Sequence, residues 1–202
     1  MLVASSSLPS ELTIFAIEQK IPVSIEDIMF AEKELRNALS YETDTAAVNS
    51  QLSFLGLHRL TTQTRSADTY LELVALRDQV EAALKHRPLD AYLWTRYAHV
   101  SYLLDGLSPY TLAALKRSFQ YGSDEYELFK FRMLLCIKEW NSLPPSLQQL
   151  TRKQISYGAS QKRLWRQILA EMDTETGGRL ILLLAEAQID PREIEELTNR
   201  LN

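Results

Sequence analysis

The stretch DAYLWTRYAHVSYLL, residues 90–104, decides the fold of this chain because it recurs 34 residues later as DEYELFKFRMLLCIK, residues 124–138. Aromatic and apolar residues coincide in the two segments: Tyr92 with Tyr126, Tyr97 with Phe131 and Val100 with Leu134. Within each segment, apolar residues follow the three- and four-residue spacing of an amphipathic helix. The recurrence therefore predicts a chain built from repeated helical units.

A second shift, of 36 residues, places QYGSDEYELF, residues 120–129, on SYGASQKRLW, residues 156–165. Each unit runs from a capping residue through two helices to an aromatic–glycine pair. Because one helix pair cannot bury its apolar faces alone, such units must stack on neighbours. We predict an all-α fold of antiparallel helix-turn-helix repeats with helical flanks, with an irregular helical bundle as the alternative.

Capping residues divide the rest of the chain into helices. Ser24, Asp90, Ser108 and Asp190 stand at predicted helix starts, and Gly106 stands just after a predicted helix end. Further caps are predicted at five positions: Ser10, Asp44, Asp68, Asp124 and Ser160. Together these signals predict about ten helices.

The composition excludes several classes of protein. Six Gly and seven Pro in 202 residues are too few for a β-sandwich or barrel, which needs many tight turns. A net charge of −4 argues against general nucleic-acid binding, which depends on neutralising phosphates. The longest apolar run, LILLLA at residues 180–185, is shorter than the ~20 residues that a membrane span needs. Cys136, the single cysteine, cannot form an internal disulfide and is predicted to be buried.

The 34-residue helix-turn-helix period resembles the tetratricopeptide repeat. Pro88 stands where that family closes a second helix, Trp94 where it places an aromatic, and Ala98 where it places a small residue. Later units depart from the pattern, since Gly122 and Arg132 replace the proline and the small residue. The resemblance implies a solenoid over residues 68–172, an N-terminal helical flank at 1–67 and C-terminal capping helices at 173–202.

Three longer patterns resemble small accessory proteins of bacterial polysaccharide synthesis and export clusters. They are RPLDAYLW at residues 87–94, the segment from Ala114 to Gly122, and the segment from Trp140 to Leu147. The resemblance implies a scaffold for components of exopolysaccharide synthesis or export. It also implies a place at the bacterial cell envelope, on the periplasmic side of the inner membrane, attached only through an anchor preceding Met1. A cytoplasmic location is the alternative.

No motif points to catalysis or to a cofactor. The three histidines, His58, His86 and His99, stand far apart, and neither H-E-x-x-H nor C-x-x-C occurs. TETGG, residues 174–178, lacks the lysine of a phosphate loop, so we interpret it as an interhelical loop. We therefore expect no metal, no cofactor and no catalytic residues.

One basic segment is a candidate binding surface. Between Thr151 and Gln167 there are five basic residues and no acidic ones, interleaved with two aromatics: Arg152, Lys153, Lys162, Arg163 and Arg166, with Tyr157 and Trp165. Such a surface suits an acidic partner protein or another anion. The alternative is a solvated face that balances the acidic remainder of the chain.

We expect a non-catalytic scaffold whose partner is another protein. Two alternatives stay open: an enzyme, for example a glycan-processing one, with a site that no motif reveals, and a regulatory adaptor that docks through the basic segment.

Overall fold

The computed structural model describes residues 8–39, 45–62, 67–158 and 161–198. These residues form α-helices and one short 3-10 turn, with no strand among them, which confirms the all-α prediction. In chain order the helices are α1 Leu8–Glu18, α2 Ile25–Ala38, α3 Thr45–Thr62, α4 Ala67–His86, α5 Ala91–Asp105, α6 Pro109–Tyr121, α7 Tyr126–Lys138, α8 Pro145–Tyr157, α9 Lys162–Leu169, α10 Thr174–Glu186 and α11 Pro191–Thr198. The 3-10 turn, Trp140–Ser142, precedes α8.

The predicted caps at Ser24, Asp90, Ser108 and Asp190 are confirmed. The Asp90 carboxylate accepts hydrogen bonds from the backbone N–H groups of Tyr92 and Leu93, at 2.9 and 3.0 Å. The other three side chains each accept from a backbone N–H two or three residues further on. Gly106 ends α5 with φ 65° and ψ −145°, a conformation that residues with a Cβ rarely adopt.

Four local predictions are wrong. Ser10 lies inside α1, which begins two residues earlier at Leu8. Asp68 lies inside α4, which begins one residue earlier, and Glu125 rather than Asp124 occupies the position before α7. TETGG is the first part of α10 and not a loop, because Asp173 caps this helix by accepting from the Thr176 N–H at 2.8 Å. The predicted caps Asp44 and Ser160 lie outside the described residues.

The chain divides into two compact units, residues 1–114 and 115–202. This division does not coincide with the boundaries predicted after residues 67 and 172.

In the first unit, consecutive helices pack on one another. Apolar side chains of α2 and α3 form one cluster: Ile28, Ala31 and Leu35 with Val48, Leu52 and Leu55. Gly56 lets α3 approach α4 closely, because a Cβ at this position would lie 3.1 Å from Leu76 Cδ1.

A buried ionic network also joins helices of the first unit. The carboxylate of Glu32, on α2, is almost fully buried and accepts from Arg36 Nη2 at 3.0 Å and from Arg59 Nε at 3.1 Å. Arg59, on α3, also reaches Glu72 of α4 at 2.6 Å. The Arg59 guanidinium therefore links α3 to both α2 and α4.

In the second unit, α7 packs against α8, α9 and α10. The buried side chains of α7 include Met133, Cys136 and Ile137. Leu147 and Ile155 of α8 are buried in the same unit. Burial raises the pKa of the Cys136 thiol to about 12. This confirms the prediction that Cys136 is buried, and the thiol is protonated at neutral pH.

Three helices, α5, α7 and α9, begin at nearly constant spacing along the chain. The starts of α5, α7 and α9 are 35 and 36 residues apart, and the fourth residue of each helix is aromatic: Trp94, Phe129 and Trp165. The 36-residue shift found in the sequence equals the spacing between the starts of α7 and α9. The 34-residue shift is one residue shorter than the spacing between the starts of α5 and α7, because α7 starts after Glu125.

The same hydrogen bond marks two of these helix starts. Trp94 Nε1 donates to the Pro88 carbonyl at 2.7 Å, and Trp165 Nε1 donates to the Gly158 carbonyl at 2.9 Å. In both cases the carbonyl belongs to the turn that follows the preceding helix. The indole therefore ties a helix start to the end of the helix before it.

Candidate interaction site

The predicted basic segment covers α8 and α9, both in the second unit. Pro145 stands at the first position of α8, where its missing N–H has no intrahelical partner to lose. The α8 helix buries Leu147, Thr151, Gln154 and Ile155. Because the buried side chains leave the opposite face free, Arg152, Lys153 and Tyr157 are exposed.

Arg152 has a structural role within the second unit. Its guanidinium lies over the Trp140 ring at 4.8 Å from the centroid. Its Nε is also 3.4 Å from Glu186 Oε2, so that it links α8 to the 3-10 turn and to α10. A partner would have to displace these contacts to bind the Arg152 guanidinium.

Trp165 does not belong to the surface. It is 1% exposed, and its ring meets Phe129 edge to face at a centroid distance of 5.0 Å. The α9 helix is strongly amphipathic and turns Trp165 inward together with Leu164, Ile168 and Leu169. The prediction that Trp165 contacts a partner is corrected, since its only polar atom is already bonded to the Gly158 carbonyl.

The remaining predicted residues differ in accessibility. Lys153 and Tyr157 lie one turn apart on α8 and are both exposed, with 68% of the Tyr157 surface open to solvent. Arg163 of α9 is exposed, whereas Lys162 and Arg166 are half-buried. The exposed residues of the predicted surface are thus Arg152, Lys153, Tyr157 and Arg163. Because Arg152 already contacts Trp140 and Glu186, we call the other three residues the α8–α9 face.

A shallow cleft opens beside Tyr157. It has an empty volume of about 310 Å³, open solvent included. Its lining comes from the turn before α7, from α7 itself and from the α8–α9 junction: Ser123, Asp124, Glu125, Phe129, Tyr157, Gly158, Gln161 and Leu164. The cleft therefore combines a tyrosine with an acidic pair.

Sequence reasoning missed the acidic part of this site. Asp124 and Glu125 are consistent with an ordinary helix start, where the dipole favours negative charge. Only the packing of α8 and α9 against α7 brings them near Tyr157. The aromatic–glycine pair Tyr157–Gly158 was the available signal, because it marks the end of α8 from which the cleft begins.

The histidines and carboxylates do not assemble into a metal site among the described residues. Burial lowers the pKa of His99 to about 4, so its imidazole is neutral at pH 7. Burial also lowers the pKa of His58. His86 is exposed at the end of α4.

Comparisons of the chain with protein-family models, with curated proteins and with solved structures gave no match. Over the residues that the structure describes, no helix is both long enough and apolar enough to cross a membrane. The α8–α9 face and the cleft beside Tyr157 are the features of the second unit that are accessible to a partner.

Proposed function

We propose that this protein is a non-catalytic helical scaffold that binds another protein through the α8–α9 face. The observation that carries the proposal is the exposure of Tyr157, which is 68% open to solvent beside the cleft and one turn from Lys153. Tyrosine combines a large apolar ring with a hydroxyl and loses little side-chain entropy, which suits it to the centre of an interface.

The charges around Tyr157 favour a polar partner segment of mixed sign. Lys153 and Arg163 offer cations on α8 and α9, while Asp124 and Glu125 line the cleft. A partner segment that places an acidic side chain on the helices and a basic or hydrogen-bonding group in the cleft would satisfy both. Such complementarity gives specificity and faster association rather than large affinity.

We further propose that the helices form a tetratricopeptide-like array. This proposal is supported by the recurring fourth-residue aromatics and by the repeated indole–carbonyl bond at Trp94 and Trp165. An array of this kind presents side chains of successive helices on continuous surfaces, which is how repeat proteins bind their partners.

The partner class that we propose is a component of bacterial polysaccharide synthesis or export at the cell envelope. Its support is the sequence resemblance of residues 87–94, 114–122 and 140–147. The test is co-purification of the tagged full chain from its own host, with mass spectrometry of the bound proteins. We expect glycosyltransferases or export proteins, and recovery of ribosomal and metabolic proteins alone would contradict the partner class.

Variants of the α8–α9 face test the site separately from the partner class. Tyr157→Ala and the double variant Lys153→Glu/Arg163→Glu should each reduce recovery of the specific partner by about tenfold or more. Arg152 is left intact, because its reversal would also break the contacts with Trp140 and Glu186.

The matched control is Tyr110→Ala. Tyr110 is 66% exposed, like Tyr157, but belongs to the first unit. Equal recovery with Tyr157→Ala and with wild type would show that the α8–α9 face is not the binding site.

A further inference from the structure

The outer face of α2 carries large apolar side chains that the first unit does not cover. Met29 and Phe30 are each 54% exposed, whereas Ile28, Ala31 and Leu35 on the opposite face are buried. The same helical hairpin exposes four more apolar side chains: Leu12, Phe15, Ile21 and Ile25. A contiguous exposed apolar patch is typical of an interaction surface, and Met29 and Phe30 are neighbours on α2.

Two exposed charges frame the apolar residues of α2. Glu26, Phe30 and Lys33 are four and three residues apart, so they lie on one face of the helix. The rise of an α-helix separates Glu26 from Lys33 by about 10 Å along the axis. Phe30 and Met29 lie between an acidic group on one side and a basic group on the other.

We infer that this face binds the same face of a second copy of the chain, with the two α2 helices antiparallel. A two-fold axis passing between Met29 and Phe30 places Glu26 opposite Lys33 of the second copy, and Lys33 opposite its Glu26. Phe30 then packs on Met29 of the second copy, and the reverse contact forms at the same time.

The order of the charges selects this arrangement. A two-fold interface must be complementary to itself, and the sequence acidic–apolar–basic meets this condition when the helices are antiparallel. A parallel pair would place Glu26 against Glu26 and Lys33 against Lys33, which is repulsive. The inference is independent of the proposed partner site, because α2 belongs to the first unit and the α8–α9 face to the second.

Sedimentation equilibrium of the full chain over a wide range of concentrations tests the inference. The wild-type mass should rise with concentration from 23.2 kDa towards twice that value. Glu26→Lys and Lys33→Glu should each weaken dimerisation by about tenfold, because each change turns two attractive pairs into repulsive ones. Circular dichroism establishes that each variant is folded.

Restoring the charge pairs gives the decisive result. The double variant Glu26→Lys/Lys33→Glu should dimerise within about threefold of wild type, since both attractive pairs are rebuilt with reversed sign. An equimolar mixture of the two single variants should form heterodimers for the same reason. Phe30→Ser should remain monomeric, and Leu182→Ser, which changes an exposed leucine of the second unit, should dimerise like wild type.

Three outcomes overturn the inference. One is a wild-type chain that stays monomeric at every concentration, which would leave the α2 face to a different occupant. The others are a dimer insensitive to the single reversals and a dimer that the double variant does not restore, because either result places the contact elsewhere or in another orientation.

Discussion

Arg132 Nε donates to Ser118 Oγ at 2.8 Å, and the whole Arg132 side chain is buried between α6 and α7. The same guanidinium donates from Nη1 to the Gly122 carbonyl at 2.7 Å and from Nη2 to the Ser118 carbonyl, and lies over the Phe119 ring. The carbonyl end of a helix carries partial negative charge, so the cation closes the C-terminus of α6.

Replacement of Arg132 by Met should therefore destabilise the protein by about 2–4 kcal/mol. The change removes the hydrogen bonds from a buried cation to Ser118 and Gly122, and a hydrogen bond to a charged group contributes about 1.5–3 kcal/mol. The loss is partly offset because both carbonyls keep a backbone N–H donor and because burial of the guanidinium is itself costly. The free energy of unfolding is measured with urea by circular dichroism. In the control Arg77→Met, loss of a partly exposed ion pair with Asp105 should cost less than about 1 kcal/mol. Equal effects of the two changes would contradict this account.

Two glycine-to-alanine substitutions should change the stability of the protein in opposite directions. At Gly158 a Cβ would lie 2.6 Å from Phe129 Cζ, and the Phe129 ring is held by its edge-to-face contact with Trp165. We expect Gly158→Ala to lower stability by about 1–3 kcal/mol through overpacking. At Gly178, inside α10, a Cβ would have no neighbour within 4 Å. Gly178→Ala should raise stability by about 0.5–1 kcal/mol, and thermal unfolding of both variants checks the pair.

The two arginines that contact Glu32 should differ in their contributions. Arg59 is largely buried, while the Arg36 side chain is 58% exposed. Arg59→Met leaves the buried Glu32 carboxylate with much less compensation and should cost about 3–5 kcal/mol. Arg36→Met removes only a surface contact and should cost less than about 1 kcal/mol. Urea unfolding at pH 7 measures both, and a larger loss for Arg36→Met would contradict the assignment.

Stability should fall as the pH decreases from 6.5 to 4, in part because of His99. The folded-state pKa of His99 is about 4, below its ordinary value of 6.5. Above pH 6.5 the imidazole is neutral in both states. Between pH 6.5 and 4 the unfolded chain binds a proton that the folded protein does not, so folding loses free energy. The contribution is on the order of 3 kcal/mol at pH 4.

The comparison of His99→Gln with wild type isolates this contribution from carboxylates that titrate in the same range. The slope of unfolding free energy against pH should be smaller in His99→Gln, whereas His86→Gln, at an exposed position, should keep the wild-type slope. Identical slopes for all three proteins would show that His99 is protonated equally in both states.

Local signals in the sequence predicted the helices well. The caps at Asp90 and Ser108 satisfy backbone N–H groups within three residues, so their effect can be recognised without knowledge of the tertiary structure. The start of α7 was harder, because Asp124 and Glu125 are both acidic and either suits the position before a helix. Because of this ambiguity, the predicted 34-residue repeat is one residue shorter than the spacing between the starts of α5 and α7.

Features that depend on distant contacts could not be predicted. Arg132 resembles any surface arginine in the sequence, and its acceptors are mainly backbone carbonyls, which carry no sequence signal. Trp165 was assigned to the surface because basic residues surround it, yet the direction of its side chain depends on how α9 packs. Of the predicted surface residues, Arg152, Lys153, Tyr157 and Arg163 are therefore exposed, whereas Trp165 is not.

The two indole–carbonyl bonds provide optical reporters for the separate parts of the molecule. Trp94 belongs to the first unit and Trp165 to the second, and each ring is fixed by its own hydrogen bond. When Trp140 is replaced by phenylalanine, only these two tryptophans remain, and the fluorescence emission of each would shift when its own unit unfolds. Variants that keep only Trp94 or only Trp165 would then distinguish one concerted unfolding transition from two successive ones.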